Sequence, residues 1–172
     1  MYIHPNYNPT TLNNDVSVIL LPSPLTFDSN IQPIALVPSS QANNNFLGTV
    51  GIIAGFGLTD DEYLDYSKVL LYAQMTIINN AQCVSVFGAN VVIDSTLCAE
   101  PFEGTNQSIC SGDSGGPLLA RDASGNLMQI GINSFVAKDM CTEGYPAGFA
   151  RLSSFLDFIT STTNLSLAWI SQ

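Results

Sequence analysis

The sequence predicts an all-β fold. Short apolar runs of strand length recur along the chain, divided by clusters of Gly, Pro, Asn, Asp and Ser. Hydrophobic residues make up 46% of the 172 positions and charged residues only 10%, which excludes a disordered chain and suffices for one domain with a real core.

In chain order the strand segments are residues 16–21, 50–55, 69–78, 96–100, 117–120, 127–134 and 148–152. Asp122-Ala123-Ser124-Gly125-Asn126 lies between two of them and supplies a hairpin turn, because Gly takes positive φ freely and Asp and Asn bond their own backbone. Asn79 and Asn80 are placed to cap a short helix before Cys83. Ser153 is placed to cap a terminal helix in which Phe155, Leu156, Phe158 and Ile159 share a face, with residues 165–169 extending it or fraying from it. The chain has no internal repeat, no low-complexity segment and no run of eighteen apolar residues that would span a membrane. Met1-Tyr2-Ile3-His4-Pro5 lacks the charged and apolar regions of a signal peptide.

Four Lys and Arg against fourteen Asp and Glu give a net charge of -10, which disfavours nucleic acid and anionic membranes as partners. The four cysteines, at 83, 98, 110 and 141, form an even set that permits three pairings and contains no Cys-x-x-Cys spacing for zinc or redox work. No calcium loop is evident, so neither metal nor cofactor is expected. Asn106-Gln107-Ser108 and Asn164-Leu165-Ser166 are N-glycan acceptor patterns.

The chemistry concentrates in Gly112-Asp113-Ser114-Gly115-Gly116-Pro117. A serine hydroxyl attacks a carbonyl productively only where preorganised donors meet the developing oxyanion. Backbone amides at Gly112 and Ser114 can converge on such a point, and the glycines let the chain turn tightly against a substrate. An ordinary Gly-rich turn entering a strand explains the glycines but not the Asp-Ser pair among them.

This motif resembles that of the chymotrypsin-like serine proteases, whose Ser, His, Asp triad is a worked example of nucleophilic catalysis. The resemblance runs through the whole chain. Asn13-Asn14-Asp15 before an apolar run is similar to the family's aspartate segment, Gly55-Phe56-Gly57 to its Gly-Trp-Gly turn, and Ser134-Phe135-Val136 to the strand that binds substrate backbone. It implies a double β-barrel fold, with residues 1–36 the end of the first barrel, 37–152 the second barrel with the nucleophile loop, and 153–172 the C-terminal helix and tail. It implies Ser114 as nucleophile, Asp15 as the triad carboxylate, and the amides of Gly112 and Ser114 as the oxyanion hole. Ser134 is then expected to bond Asp15 while residues 134–136 pair with substrate. It also selects the disulfides Cys83 with Cys98 and Cys110 with Cys141, bridges that persist outside the cytosol, and so an extracellular protein. The first glycan pattern lies against the implied pocket and is expected to be unused.

Two parts of the family pattern are missing. The general base should precede Asp15, yet the sole histidine, His4, lies in a Pro and Asn-rich stretch that reads as an exposed loop, and no Ala-Ala-His-Cys motif is present. The chain is therefore read as truncated within the first barrel and nearly inert alone. The second missing part is the N-terminus which, in the family, is released by cleavage and pairs with the acid before the serine, here Asp113. Without it the carboxylate lacks a partner, and a disordered or zymogen-like oxyanion loop is expected.

At the implied specificity pocket Ser108 and neighbouring Ile109 give an uncharged floor, Val136 narrows the slot, and Ala147 contributes the opposite wall. Small or medium apolar side chains are expected there, although packing of Ile109 and Val136 in the core would carry no such information. The favoured function is a secreted serine endopeptidase acting on protein or peptide substrates and open to protein protease inhibitors. The alternative is a non-catalytic homologue that keeps the cleft to bind peptide or protein. The bare apolar face left by an incomplete first barrel predicts association.

Overall fold

The computed structural model describes residues 1–62 and 65–165. Among these residues nine strands and two α-helices follow in the order β1 (Tyr2–Ile3), β2 (Ser17–Val18), β3 (Ala35–Leu36), β4 (Val50–Gly55), β5 (Leu71–Ile78), α1 (Asn80–Phe87), β6 (Thr96–Pro101), β7 (Pro117–Arg121), β8 (Leu127–Phe135), β9 (Ala147–Arg151) and α2 (Leu156–Thr163). Six of them, β4 to β9, form a closed barrel in the order β8, β7, β4, β5, β6, β9, with β9 returning to pair with β8. The fold is mostly β and chymotrypsin-like, as expected.

Alternation builds the interior. Met75 and Ile77 of β5, Leu118 and Ala120 of β7 and Met128 and Ile130 of β8 turn inward and are almost fully buried. Asp122 closes the β7–β8 hairpin, its carboxylate accepting from the amides of Ser124 and Asn126, both at 2.8 Å. Asn79 caps α1 by accepting from Ala81 N at 2.9 Å, and the helix continues through Cys83 to Phe87. Cys83 joins Cys98, closing a loop of 15 residues worth about 3 kcal/mol in the chain-entropy model, and Cys110 joins Cys141.

Three expectations change, for the segment 16–21, for Ser153 and for His4. The segment 16–21 pairs only over β2, against the two residues of β1; Ile19, Leu20 and Leu21 are exposed because no neighbouring strand takes up their backbone. At the end of the segment 1–36, β3 pairs in parallel with β8, Ala35 with Met128 and Leu36 with Gln129. Ser153 does not cap α2. It lies inside a 3-10 turn, Leu152–Phe155, and its hydroxyl donates to Ala42 O at 3.3 Å. The helix stops at Asn164, which takes the left-handed conformation, and residues 166–169 lie outside those described.

His4 is half-buried rather than exposed. Its ring stands edge-on to Phe155 and Phe158, at centroid distances of 5.5 and 4.8 Å, and its Nδ1 accepts from Asn6 N.

Leu20, Leu25 and Phe27 of the irregular segment 19–34 are more than half exposed, a density of apolar surface beyond scattered single residues. Sedimentation velocity across micromolar concentrations should show reversible association that weakens in a Leu20→Asp, Phe27→Asp variant. A constant monomer would contradict this.

Candidate active site

Ser114 lies in the loop between Cys110 and β7 and is exposed. The loop is seated by β8. Gly115 N donates to Asn133 O at 2.9 Å, Asn133 N donates to Gly116 O at 2.8 Å, and Asn133 Nδ2 donates to Asp113 O at 3.0 Å. Asp113 N bonds Cys110 O and Gly116 N bonds Asp113 O, both at 3.0 Å. Among the described residues the amides of Gly112 and Ser114 find no acceptor, so both donors remain available in this loop. Gly112 has φ +97°, and a Cβ there would stand 2.6 Å from Cε1 of Tyr66, whose ring lies against it. Only glycine fits both demands.

The Asp113 carboxylate is not left without partners. Oδ1 accepts from Gly57 N at 2.8 Å and Oδ2 from Cys110 N at 3.0 Å, against the backbone of Gly55 and Gly57. Two amide donors satisfy much of a carboxylate's demand, and the loop from Cys110 to Gly116 takes defined turns, where disorder was one of the two forms expected. Behind it lies a cavity of about 420 Å³ whose walls include Asp113, Ser108, Leu58, Leu71 and Ala73.

Asp15 is positioned by its own loop. Asn8 Oδ1 accepts from Thr10 N and Thr11 N, and Asn14, at φ +58°, donates through Nδ2 to Asn6 O at 2.9 Å. Asn13 Nδ2 donates to Asn90 O at 3.1 Å, tying this loop to the one after α1. The Asp15 carboxylate then accepts from Ser134 Oγ at 2.7 Å across 119 residues of sequence. Ser134 reaches it from a bulge in β8, where the register with β9 shifts between Asn133 and Phe135. A bulge breaks the alternation and re-aims the side chain.

The residues expected at the specificity pocket are distributed between two places. Ser108 and Ile109 line the 420 Å³ cavity, with Ser108 Oγ buried and unpartnered among the described residues. Ala147 is fully buried in the barrel core, and Val136 packs against that core. Phe135 lies over Gly148 and meets Phe87 edge-on at 5.0 Å, in the cluster that holds the Cys83–Cys98 bridge.

Three residues outside the expected set shape the site. Asn133 is only 2% exposed in β8, although in the sequence it falls on the polar phase of the run Met128, Ile130, Ile132, so periodicity does not mark it. Tyr66 and Asp61 come from the loop between β4 and β5, and no pattern in the sequence singles them out. The Asp61 carboxylate accepts from Cys141 N at 2.9 Å, Thr142 N at 2.8 Å and Thr142 Oγ1 at 2.6 Å. Desolvation raises its pKa, but the Thr142 hydroxyl and the two amides outweigh that and hold the carboxyl below its ordinary value. Asp61 lies close to Cys110 and Cys141, but both sulfurs are consumed in their disulfide, so this group is no metal site.

A family model described as Trypsin matches residues 1–159. The chain belongs to the trypsin family of serine proteases. It is 38% identical over 164 residues to brachyurin from Leptuca pugilator, covering 95% of this chain and 67% of that protein. It is 34% identical over 162 residues to a collagenase from Hypoderma lineatum, covering 94% and 58%. A solved structure of HL collagenase superposes with a TM-score of 0.82 at 33% identity, covering 95% of this chain and 66% of that one. The chain thus spans roughly three fifths to two thirds of the length of these relatives.

Ser134→Ala should lower unfolding free energy by about 1 kcal/mol, since a bond to a half-exposed carboxylate is worth less than a buried one; urea unfolding measures it. The Asp61 clasp is intact above the ordinary carboxylate value of 3.8 and is lost as pH falls through its depressed pKa. Amide exchange at Cys141 and Thr142, corrected for intrinsic rates, should therefore accelerate only below that value, and in Asp61→Asn the acceleration should no longer depend on pH.

Proposed function

We propose that this chain carries the nucleophile and specificity half of a secreted serine endopeptidase, with the general base supplied from outside these 172 residues. The observation that carries the reading is the pair of acceptor-free amides, Gly112 N and Ser114 N, flanking an exposed serine hydroxyl. Ser114 Oγ attacks the scissile carbonyl and gives its proton to the base, while the oxyanion accepts from the two amides. The base returns that proton to the departing amine, and the acyl group stays on Ser114 until water releases it.

Asp15 orients the base. Ser134 occupies Oδ2, and Oδ1 has no donor among the described residues, which leaves it free for an imidazole N–H. His4 does not serve, because its ring is packed on Phe155 and Phe158. The cavity behind Asp113 is read as the acceptor for the ammonium of a newly released chain start, in keeping with the family resemblance. An uncharged Ser108 supports a preference for apolar side chains, small to medium in size by the family resemblance, in protein or peptide substrates. Secretion is supported by the two disulfides and by kinship with brachyurin and collagenase.

A fluorophosphonate probe tests the reading. The 172-residue chain should react no faster than its Ser114→Ala variant, because no base activates the hydroxyl. A chain extended upstream by an in-frame segment with a histidine should react rapidly, Ser114→Ala should abolish labelling, and Asp15→Asn should slow it on the order of 10⁴-fold. An extended chain that folds, binds peptide and stays unlabelled would instead be a non-catalytic homologue.

A further inference from the structure

We propose that Asn133 is a positioning residue for the Ser114 amide: its side chain fixes the peptide plane between Asp113 and Ser114 so that the Ser114 N–H faces away from the barrel. That this amide then serves an oxyanion rests on the function proposed above. The orientation itself does not.

A trans peptide unit points its C=O and the following N–H in opposite directions, and no cis bond occurs among the described residues. Fixing the Asp113 carbonyl therefore fixes the direction of the Ser114 amide. That carbonyl receives two donors, Gly116 N and Asn133 Nδ2, each at 3.0 Å. The first is a local turn bond. The second comes from a side chain only 2% exposed, rooted in β8, so it ties the peptide plane to the barrel wall. Asn133 reaches the carbonyl past Gly116, where a Cβ would stand 2.9 Å from both Asn133 Nδ2 and Asp113 O. A side chain at 116 would block the contact.

Core filling does not account for the asparagine. Its Oδ1 is buried with no partner among the described residues, a desolvation cost that an apolar side chain of similar size would avoid. What asparagine provides and leucine lacks is the Nδ2 donor. The neighbouring backbone bonds, Gly115 N to Asn133 O and Asn133 N to Gly116 O, seat the loop but do not reach the Asp113 carbonyl, which apart from Asn133 has only the turn bond from Gly116 N among the described residues.

The test uses the ¹⁵N-labelled 172-residue chain with Asn133→Leu and Asn133→Asp. In the parent chain the Asn133 side-chain amide protons should exchange at least tenfold more slowly than those of exposed asparagines such as Asn106. Both variants should change the Ser114 N–H residual dipolar coupling, with shifts confined to residues 112–116, and Asn133→Leu should unfold at the same or higher urea concentration. A fast-exchanging Asn133 amide overturns the proposal in the parent chain alone, even if neither variant folds. An unchanged Ser114 coupling in Asn133→Leu, or lowered stability with the loop undisturbed, also overturns it, since either makes Asn133 a packing residue. In a histidine-bearing chain Asn133→Leu should lower kcat about tenfold with KM within twofold. If that parent is inactive while the coupling responds as expected, the protease reading fails and the positioning role stands.

Discussion

Past Pro117 the ladder between β7 and β8 does not end; it runs one step further, with Asn133 pairing through its backbone to Gly115 and Gly116. The segment that carries Ser114 is thereby an extension of a closed barrel and not a free surface loop. Closure matters because every strand of the barrel is bonded on both sides, so the wall behind the loop cannot splay. The same strand delivers Ser134 to Asp15 one residue later, from the bulge that ends its regular pairing with β9. A single strand thus sets the relative positions of Ser114, the amides of its loop and the Asp15 carboxylate.

Around that strand the site is held by carboxylates that accept from neutral donors. Asp113 takes the amides of Gly57 and Cys110, Asp61 takes the Cys141–Thr142 backbone and the Thr142 hydroxyl, and Asp15 takes the Ser134 hydroxyl. With four Lys and Arg among 172 residues, cations are scarce, and backbone amides supply the positive ends of these interactions. Each bond joins distant parts of the chain. The loop from β4 to β5 is fastened to the nucleophile loop through Leu58 N to Ser111 O at 2.9 Å and Gly57 N to Asp113, and to the segment before β9 through Asp61. The Cys110–Cys141 bridge joins the same two partners covalently.

The first 34 residues have a different character. They form one two-residue pairing, an isolated bridge between Asn8 and Asn13 and a long irregular stretch, yet they carry Asp15, whose loop is bonded to itself and to Asn90 by three asparagine side chains, Asn8, Asn13 and Asn14. Order here comes from side-chain amides substituting for a sheet. The apolar residues from 19 to 34 have no such compensation and remain on the surface.

Short apolar runs bounded by turn residues located the strands of the barrel, because a strand buried on its core side is brief and ends at polar turns, and the β7–β8 turn and the α1 cap followed from local side-chain chemistry at Asp122 and Asn79. The segment from Gly112 to Pro117 stood out equally, since its glycines and its Asp-Ser pair are contiguous. Ser153 and His4 were misread because a cap or a loop is judged on neighbours in sequence, while their contacts, Ala42 O and the rings of Phe155 and Phe158, come from packing. Asp61, Tyr66 and Asn133 were invisible as site residues for the same reason: each acts on a group brought near only when the barrel closes. Sequence determined the strands, the β7–β8 turn and the α1 cap, through patterns only a few positions long. Tertiary structure decided which amides stay free and which carboxylates are satisfied, because hydrogen bonds depend on distances of about 3 Å between segments that a linear pattern cannot bring together.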